Sequence, residues 1–202
     1  MKPIFFLISF FVVMINHNSF AEEAWKLEKN KDGVKVWTRK PENSNLKEFK
    51  GVGILQTTVD KLVAFFKKTE LYSKWMYKIA DGGVKMLKKN NENDYYMQII
   101  MSAPLIKSRE SITHFVFHQP DATGAVTLTL DAAPDMLPVN DNYVRIQKMK
   151  GYWKFVPLPG GKVEVTHQAL SSVGGNVPDA FINFAIADAP FSMISKLKEM
   201  VK

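Results

Sequence analysis

The chain has 202 residues and no cysteine. That excludes disulfides, a lipoprotein anchor and any thiolate metal site. Arginine is scarce too: of 27 basic residues, only Arg39, Arg109 and Arg145 are not lysine. Bidentate recognition of phosphates and base edges favours the guanidinium fork, so nucleic acid is not an expected partner. The chain also lacks catalytic signatures: it has no G-x-S-x-G, Walker loop, G-x-G-x-x-G or H-E-x-x-H. No repeat, low-complexity segment or Pro/Ser linker divides it, and its length suits one domain.

Long apolar runs are absent with one exception. Residues 4–15 are nearly unbroken apolar, preceded by Lys2 and followed by Asn16, His17 and Asn18. The run is about the length of a signal-peptide core and short of the roughly 20 residues that span a bilayer. Ser19-Phe20-Ala21 then offers small residues at a cleavage site. The reading is a cleaved signal peptide over residues 1–21 and a mature domain over 22–202. An exported domain without disulfides fits a bacterial periplasm, with secretion as the alternative. Taking Lys2 from the 27 basic residues leaves 26 against 20 acidic, a net of +6. Such a surface either meets anionic lipid headgroups or keeps the protein dispersed.

Hydrophobic residues make up 46% of the chain, enough for a core and a lined cavity. Gly33 opens a hairpin, and residues 34–39 and 49–55 alternate as strands. Val59, Leu62, Val63 and Phe66 repeat at helical spacing, which predicts a helix over 57–75 capped by Thr57 or Thr58. Asp81-Gly82-Gly83 reads as a turn. Strands are expected over 84–88, 95–101, 111–117, 126–130, 143–150, 152–156 and 162–170. A helical stretch over 179–201, about 34 Å long, closes the chain, and Pro190 is expected to kink or split it. Strands first and a long helix last predict an α+β architecture with a large antiparallel sheet.

Of the three histidines beyond residue 21, His114 and His118 share a strand face and His167 lies far away. No carboxylate spacing supports a metal among them, and no cofactor is expected.

Four motifs stand in order along the chain. Ala103-Pro104-Leu105-Ile106-Lys107-Ser108-Arg109-Glu110 bridges two strands. Tyr143-Val144-Arg145 follows, then Gly151-Tyr152-Trp153 with Pro157. Gly174-Gly175-Asn176-Val177-Pro178 leads into Phe181-Ile182-Asn183. In these motifs the sequence resembles the START family, the steroidogenic-acute-regulatory-related lipid-transfer domains, from about Trp25 to the end. One departure is Glu110 where the family usually has Asp; the charge is kept.

The resemblance implies a helix-grip fold: a curved antiparallel sheet wrapped around the long C-terminal helix, with a tunnel for one lipid between them. It also implies a mobile Ω-loop beside the entrance, here residues 132–142, with Met136, Leu137 and Pro138 at its tip. These residues either insert shallowly into a membrane or pack down on the helix. Arg109 and Glu110 would hold the structural turn.

Strand alternation from Arg109 puts Thr113, Phe115 and Phe117 on one face. Counting back across the turn puts Tyr96, Gln98 and Ile100 inward on the neighbouring strand. A slip of one residue would reverse every such assignment. His167 follows the Val163 and Val165 face. Phe181, Phe184 and Asp188 follow helical spacing on the last helix. Where some family members place an acidic and a basic residue in the cavity, ungapped counting finds Tyr96 and Phe115, which implies a ligand with a small or neutral polar end.

The expected partner is thus one lipid or other hydrophobic molecule, with transient membrane contact and a monomeric protein acting as carrier or sensor. An aromatase/cyclase-like enzyme is a second reading; it needs groups such as Tyr96, His167 and Asp188 to converge. The third is an interaction module with a filled core.

Overall fold

The computed structural model describes residues 24–41, 47–102, 106–172, 175 and 179–202, with side chains of the last helix described from Ile186 onward. The signal-peptide segment and the Ala103-Pro104-Leu105 part of the first motif lie outside these residues.

Ten strands form one sheet: β1 (Lys26–Lys31), β2 (Val34–Arg39), β3 (Lys47–Leu55), β4 (Ile79–Asn91), β5 (Asp94–Met101), β6 (Arg109–Phe117), β7 (Val126–Ala132), β8 (Val144–Arg145), β9 (Met149–Leu158) and β10 (Lys162–Ser171). Their order is β1-β2-β3-β10-β9-β7-β6-β5-β4 with antiparallel neighbours, and the two-residue β8 pairs parallel to β6. The sheet is curved, and the helix α3 (Asp179–Met200) lies against it, which is the helix-grip, α+β arrangement. The β1–β2 hairpin turns at Asp32 and Gly33, both left-handed (φ 53° and 72°), which matches the twist of the flanking strands. The end strands carry Lys26, Lys29 and Lys31 on β1 and Lys85, Lys88 and Lys89 on β4.

Three local expectations change and a fourth is narrowed. The helix expected over 57–75 becomes α1 (Val59–Phe66), a single 3-10 turn at Thr69–Leu71, and the short α2 (Tyr72–Trp75). Thr58 caps α1 by accepting from Lys61 N. The chain folds back because the buried Tyr72 hydroxyl donates to Phe66 O at 2.8 Å, which brings Trp75 within 4.9 Å of Phe66. Asp81-Gly82-Gly83 is not a hairpin turn but a bulge inside β4, where the pairing with β5 slips between Ile79 and Val84. Glycine is needed there: Gly82 is left-handed, and a Cβ on Gly83 would stand 2.7 Å from Ile100 O. The strand expected over 143–150 breaks into β8 and the start of β9, because Arg145 is drawn to β6. Finally, Pro190 does not split α3.

The C-terminal half of α3 seats in a notch on β3. Gly51 and Gly53 face the helix, and Cβ atoms added to them would stand 2.9 Å from Ile194 Cδ1 and 2.6 Å from Ile194 Cγ2 respectively. Pro190 Cβ would be 3.0 Å from the first of these. With Val34, Val36, Leu55, Val163 and Val165 beside the notch, Ile194 and Leu197 are fully buried. Ile194 Cγ2 is fixed at its branch and cannot swing aside. Gly53→Ala is therefore expected to lower stability by about 1–3 kcal/mol in urea titration. Adding Ile194→Ala should cost less in that background than in the wild type.

Candidate functional site

The concave face of the sheet is built by strand parity. β6 turns Ser111, Thr113, Phe115 and Phe117 inward, and β10 turns Val163, Val165, His167 and Ala169 inward; all are buried. Trp153 and Phe155 come from β9, Leu128 and Leu130 from β7. Phe66, Tyr72 and Trp75 cover these from α1 and α2. Phe66 lies 5.2 Å from Trp153 and 5.0 Å from Phe155. The result is an aromatic wall.

On β5 the faces are reversed from the sequence reading. Tyr95, Met97 and Ile99 are buried, whereas Tyr96, Gln98 and Ile100 are half-exposed on the outer face. Hydrogen bonding fixes this: Tyr95 pairs with Phe115 and Met97 with Thr113, so β5 inherits its inward set from β6. Tyr95 stacks on Phe115 at 5.3 Å, while Tyr96 stacks outside on His114 at 4.1 Å. Gln98 donates to Glu110.

Asp188 also leaves the inward set. It forms an ion pair with Lys29 of β1, at the sheet edge. The side chains of Phe181 and Phe184 lie outside the described residues. The histidines diverge: His114 Nε2 is 2.8 Å from Asp94, His118 Nε2 is 3.1 Å from Thr129 Oγ1, and His167 is interior.

His167 is held on three sides. Its ring stacks on Trp153 with centroids 3.9 Å apart, Phe49 meets it edge-on at 4.9 Å, and Nδ1 is 3.1 Å from Tyr152 O. Burial pushes its pKa down to about 4, partly offset by the bond to that carbonyl, so the ring is neutral near pH 7. The Tyr95 phenol is pushed up to about 12 by burial, against a lowering from the Tyr72 hydroxyl 3.2 Å away.

Behind the inner face, loop 132–142 lies on the outer side of β6. Arg145 and Glu110 form a buried ion pair, Nε to Oε2 at 2.7 Å, with 4% and 1% of their side chains exposed. Arg145 also donates to Pro134 O, to Leu137 O at 3.0 Å and, through Nη2, to Pro138 O at 2.8 Å. Glu110 thus pairs with Arg145, while its neighbour Arg109 donates to Lys107 O. Met136 and Leu137 are half-buried; Pro138 and Val139 are exposed, Val139 by 73%.

Sequence reasoning misses Tyr95, Trp75 and Trp153. A signal exists for Trp153: the turn at Gly160 and Gly161 pairs Lys162 with Leu158, and five steps along each strand bring His167 opposite Trp153.

No protein-family model matches the chain. An uncharacterized protein of Pseudomonas aeruginosa is 31% identical over 182 residues, 90% of this chain and 88% of its own length. The STAR-related lipid transfer protein of Xanthomonas axonopodis, a solved structure, is 31% identical with a TM-score of 0.79, covering 88% of this chain and 98% of its own. Human StAR-related lipid transfer protein 5 has the same fold at a TM-score of 0.78 and 17% identity, covering 91% of this chain and 88% of its own. With a fold, an inner face and a 31% identical lipid-transfer relative in agreement, the chain belongs to the StAR-related lipid transfer, or START, family.

Proposed function

We propose that this protein holds one lipid or other hydrophobic molecule between the inner face of the sheet and the N-terminal part of α3, and exchanges it at a membrane. The aromatic inner face, whose buried ionisable groups Tyr95 and His167 are both neutral near pH 7, carries this reading. A 14-to-18-carbon chain buried against such a wall would gain about 11–14 kcal/mol before ordering costs, at ~0.8 kcal/mol per CH₂. Residues 1–21 direct export, so exchange takes place outside the cytoplasm. The enzyme reading loses its trio: Tyr96 is on the outer face and Asp188 is bound to Lys29, both away from His167.

Native mass spectrometry of the purified protein, followed by organic extraction, tests the reading. One co-purifying lipid per chain is the expected result. A protein that is empty and takes up neither fatty acids, phospholipids nor sterols would overturn it.

Membrane contact is assigned to Pro138 and Val139 at the tip of the Arg145-held loop. Val139 would bury about 1.5 kcal/mol of side chain in a bilayer, so Val139→Glu should slow lipid transfer between vesicles about tenfold. The thermal midpoint should not move, because the side chain is exposed.

A further inference from the structure

Pro190 stands inside α3 without splitting it. Proline has no N–H for the carbonyl four residues earlier, here Ile186 O, and its ring crowds that carbonyl. Helices bend at such a place unless something outside them keeps the two sides in line. The side after the break is fixed by apolar packing. Pro190 and Ile194 close on Gly51 in the notch of β3, and Ile194 and Leu197 are fully buried. The side before the break brings less apolar surface: between Ile186 and Pro190 lie only Ala187, Asp188 and Ala189.

Lys29 of β1 reaches both sides. Its ammonium pairs with the Asp188 carboxylate, which precedes Pro190, and lies 5.1 Å from the centroid of the Phe191 ring, which follows it. One side chain thus spans the break. Among the described residues, no other ion pair or side-chain hydrogen bond ties 186–191 to the sheet.

The backbone of β1 is shaped for this contact. Leu27 pairs with Trp37, but the next pair is Lys29 with Val36, so the register slips past Glu28. By plain alternation Lys29 would share the outer face of Leu27. The bulge turns it to the face of Val36 and of Gly51, the strand partner of Val36, which is the face that meets α3.

We infer that Lys29 is a positioning residue: it splints α3 across Pro190, and its grip sets how fast a ligand enters and leaves. This rests on the lipid-binding reading above, in which the ligand lies beneath the part of α3 before Pro190. Release of Lys29 lets that part bend away from the sheet while the part beyond stays in the notch.

Lys29→Met keeps the apolar stem and removes the charge. Amide hydrogen exchange over residues 186–191 should quicken about tenfold in this variant, as loss of an ion pair and a cation–π contact requires. Exchange over residues 193–200 should not change. Stearate, phosphatidylcholine and cholesterol, each carrying the same fluorescent label, then report ligand passage from the protein to vesicles. Release of the retained probe should quicken by a similar factor in Lys29→Met. Its equilibrium affinity should stay within about twofold, because the splint forms with and without ligand. Lys29→Arg should behave as the wild type. High salt should speed release from the wild type more than from Lys29→Met.

If residues 186–191 exchange no faster in Lys29→Met, the inference is overturned while lipid binding stands. The same holds if these amides quicken and probe release does not. A loss of affinity in proportion to the rate would make Lys29 a ligand contact and overturns it too. A protein that retains none of the three probes overturns the lipid-binding reading and this inference with it.

Discussion

Replacing Arg145 with alanine should lower the free energy of unfolding by about 3–5 kcal/mol, more than Gly53→Ala should cost. Glu110 is 1% exposed, and its Oε2 accepts from Arg145 Nε at 2.7 Å. Without the guanidinium, that carboxylate stays buried with, among the described residues, only the Gln98 amide to answer it. The loop also loses its tie, since Pro134, Leu137 and Pro138 all give their carbonyls to Arg145. Lysine should rescue poorly, because one ammonium cannot reproduce a planar fork shared among a carboxylate and three carbonyls. Removing both charges tells the interaction apart from a general packing loss. The double variant Glu110→Leu with Arg145→Met should be markedly more stable than Arg145→Ala, because no unpaired charge is left in the interior. Urea titrations of Glu110→Leu, Arg145→Met and the double variant measure the coupling. Strictly additive losses would show that the pair is not the source.

The second large effect is a pH dependence carried by His167. Its folded pKa is about 4 against an ordinary value of 6.5. Burial among Trp153 and Phe49 is the cause, and no charged group touches the ring among the described residues. Below pH 6.5 the unfolded chain takes a proton that the folded chain refuses. This contribution to stability is therefore fully present above about pH 6.5, is lost as the pH falls toward 4, and changes no further below that. A difference of 2.5 units corresponds to about 3 kcal/mol at 1.36 kcal/mol per unit. His167→Phe keeps an aromatic ring against Trp153 and removes the titration. Urea unfolding of both proteins at pH 7.5 and pH 4.0 isolates the effect, because the carboxylates contribute to both and cancel. The wild type should lose about 3 kcal/mol more than the variant across that interval. Equal losses would place His167 in contact with water.

These two sites differ in how far the sequence discloses them. His167 is readable because alternation along β10 is uninterrupted from Val163, so its inward direction follows from its neighbours. Thr113, Phe115 and Phe117 are readable for the same reason. Tyr96, Gln98 and Ile100 fall on the wrong face in the sequence reading because parity does not survive a connection. The chain between Met101 and Arg109 can hold an odd or an even number of steps, and only the pairing of Tyr95 with Phe115 decides between them. The Glu110–Arg145 pair lies further from reach. Its members are 35 residues apart, and β8 joins β6 in parallel, so neither local period nor hairpin register links them. The broken helix is a third kind of case. The helical spacing of Val59, Leu62, Val63 and Phe66 is extended to residue 75 in the sequence reading, and it is the buried bond of Tyr72 back to Phe66 O that turns the chain instead. Order and spacing of the motifs suffice for the fold; which charge meets which is written in the tertiary structure.

The lysines of the outermost strands bear on how copies of this protein treat one another. A sheet that ends in β1 and β4 offers two rows of backbone groups to which a further strand could be added. Lys26 and Lys29 on β1 are paired with Glu28 and Asp188, and Lys89 on β4 with Glu92, which leaves Lys31 on one margin and Lys85 and Lys88 on the other. A second copy approaching margin to margin meets like charge before any backbone pairing can begin. Part of the positive charge of the chain thus guards against fibre-like growth, and substituting these lysines should be felt first as self-association at high concentration rather than as weaker lipid handling.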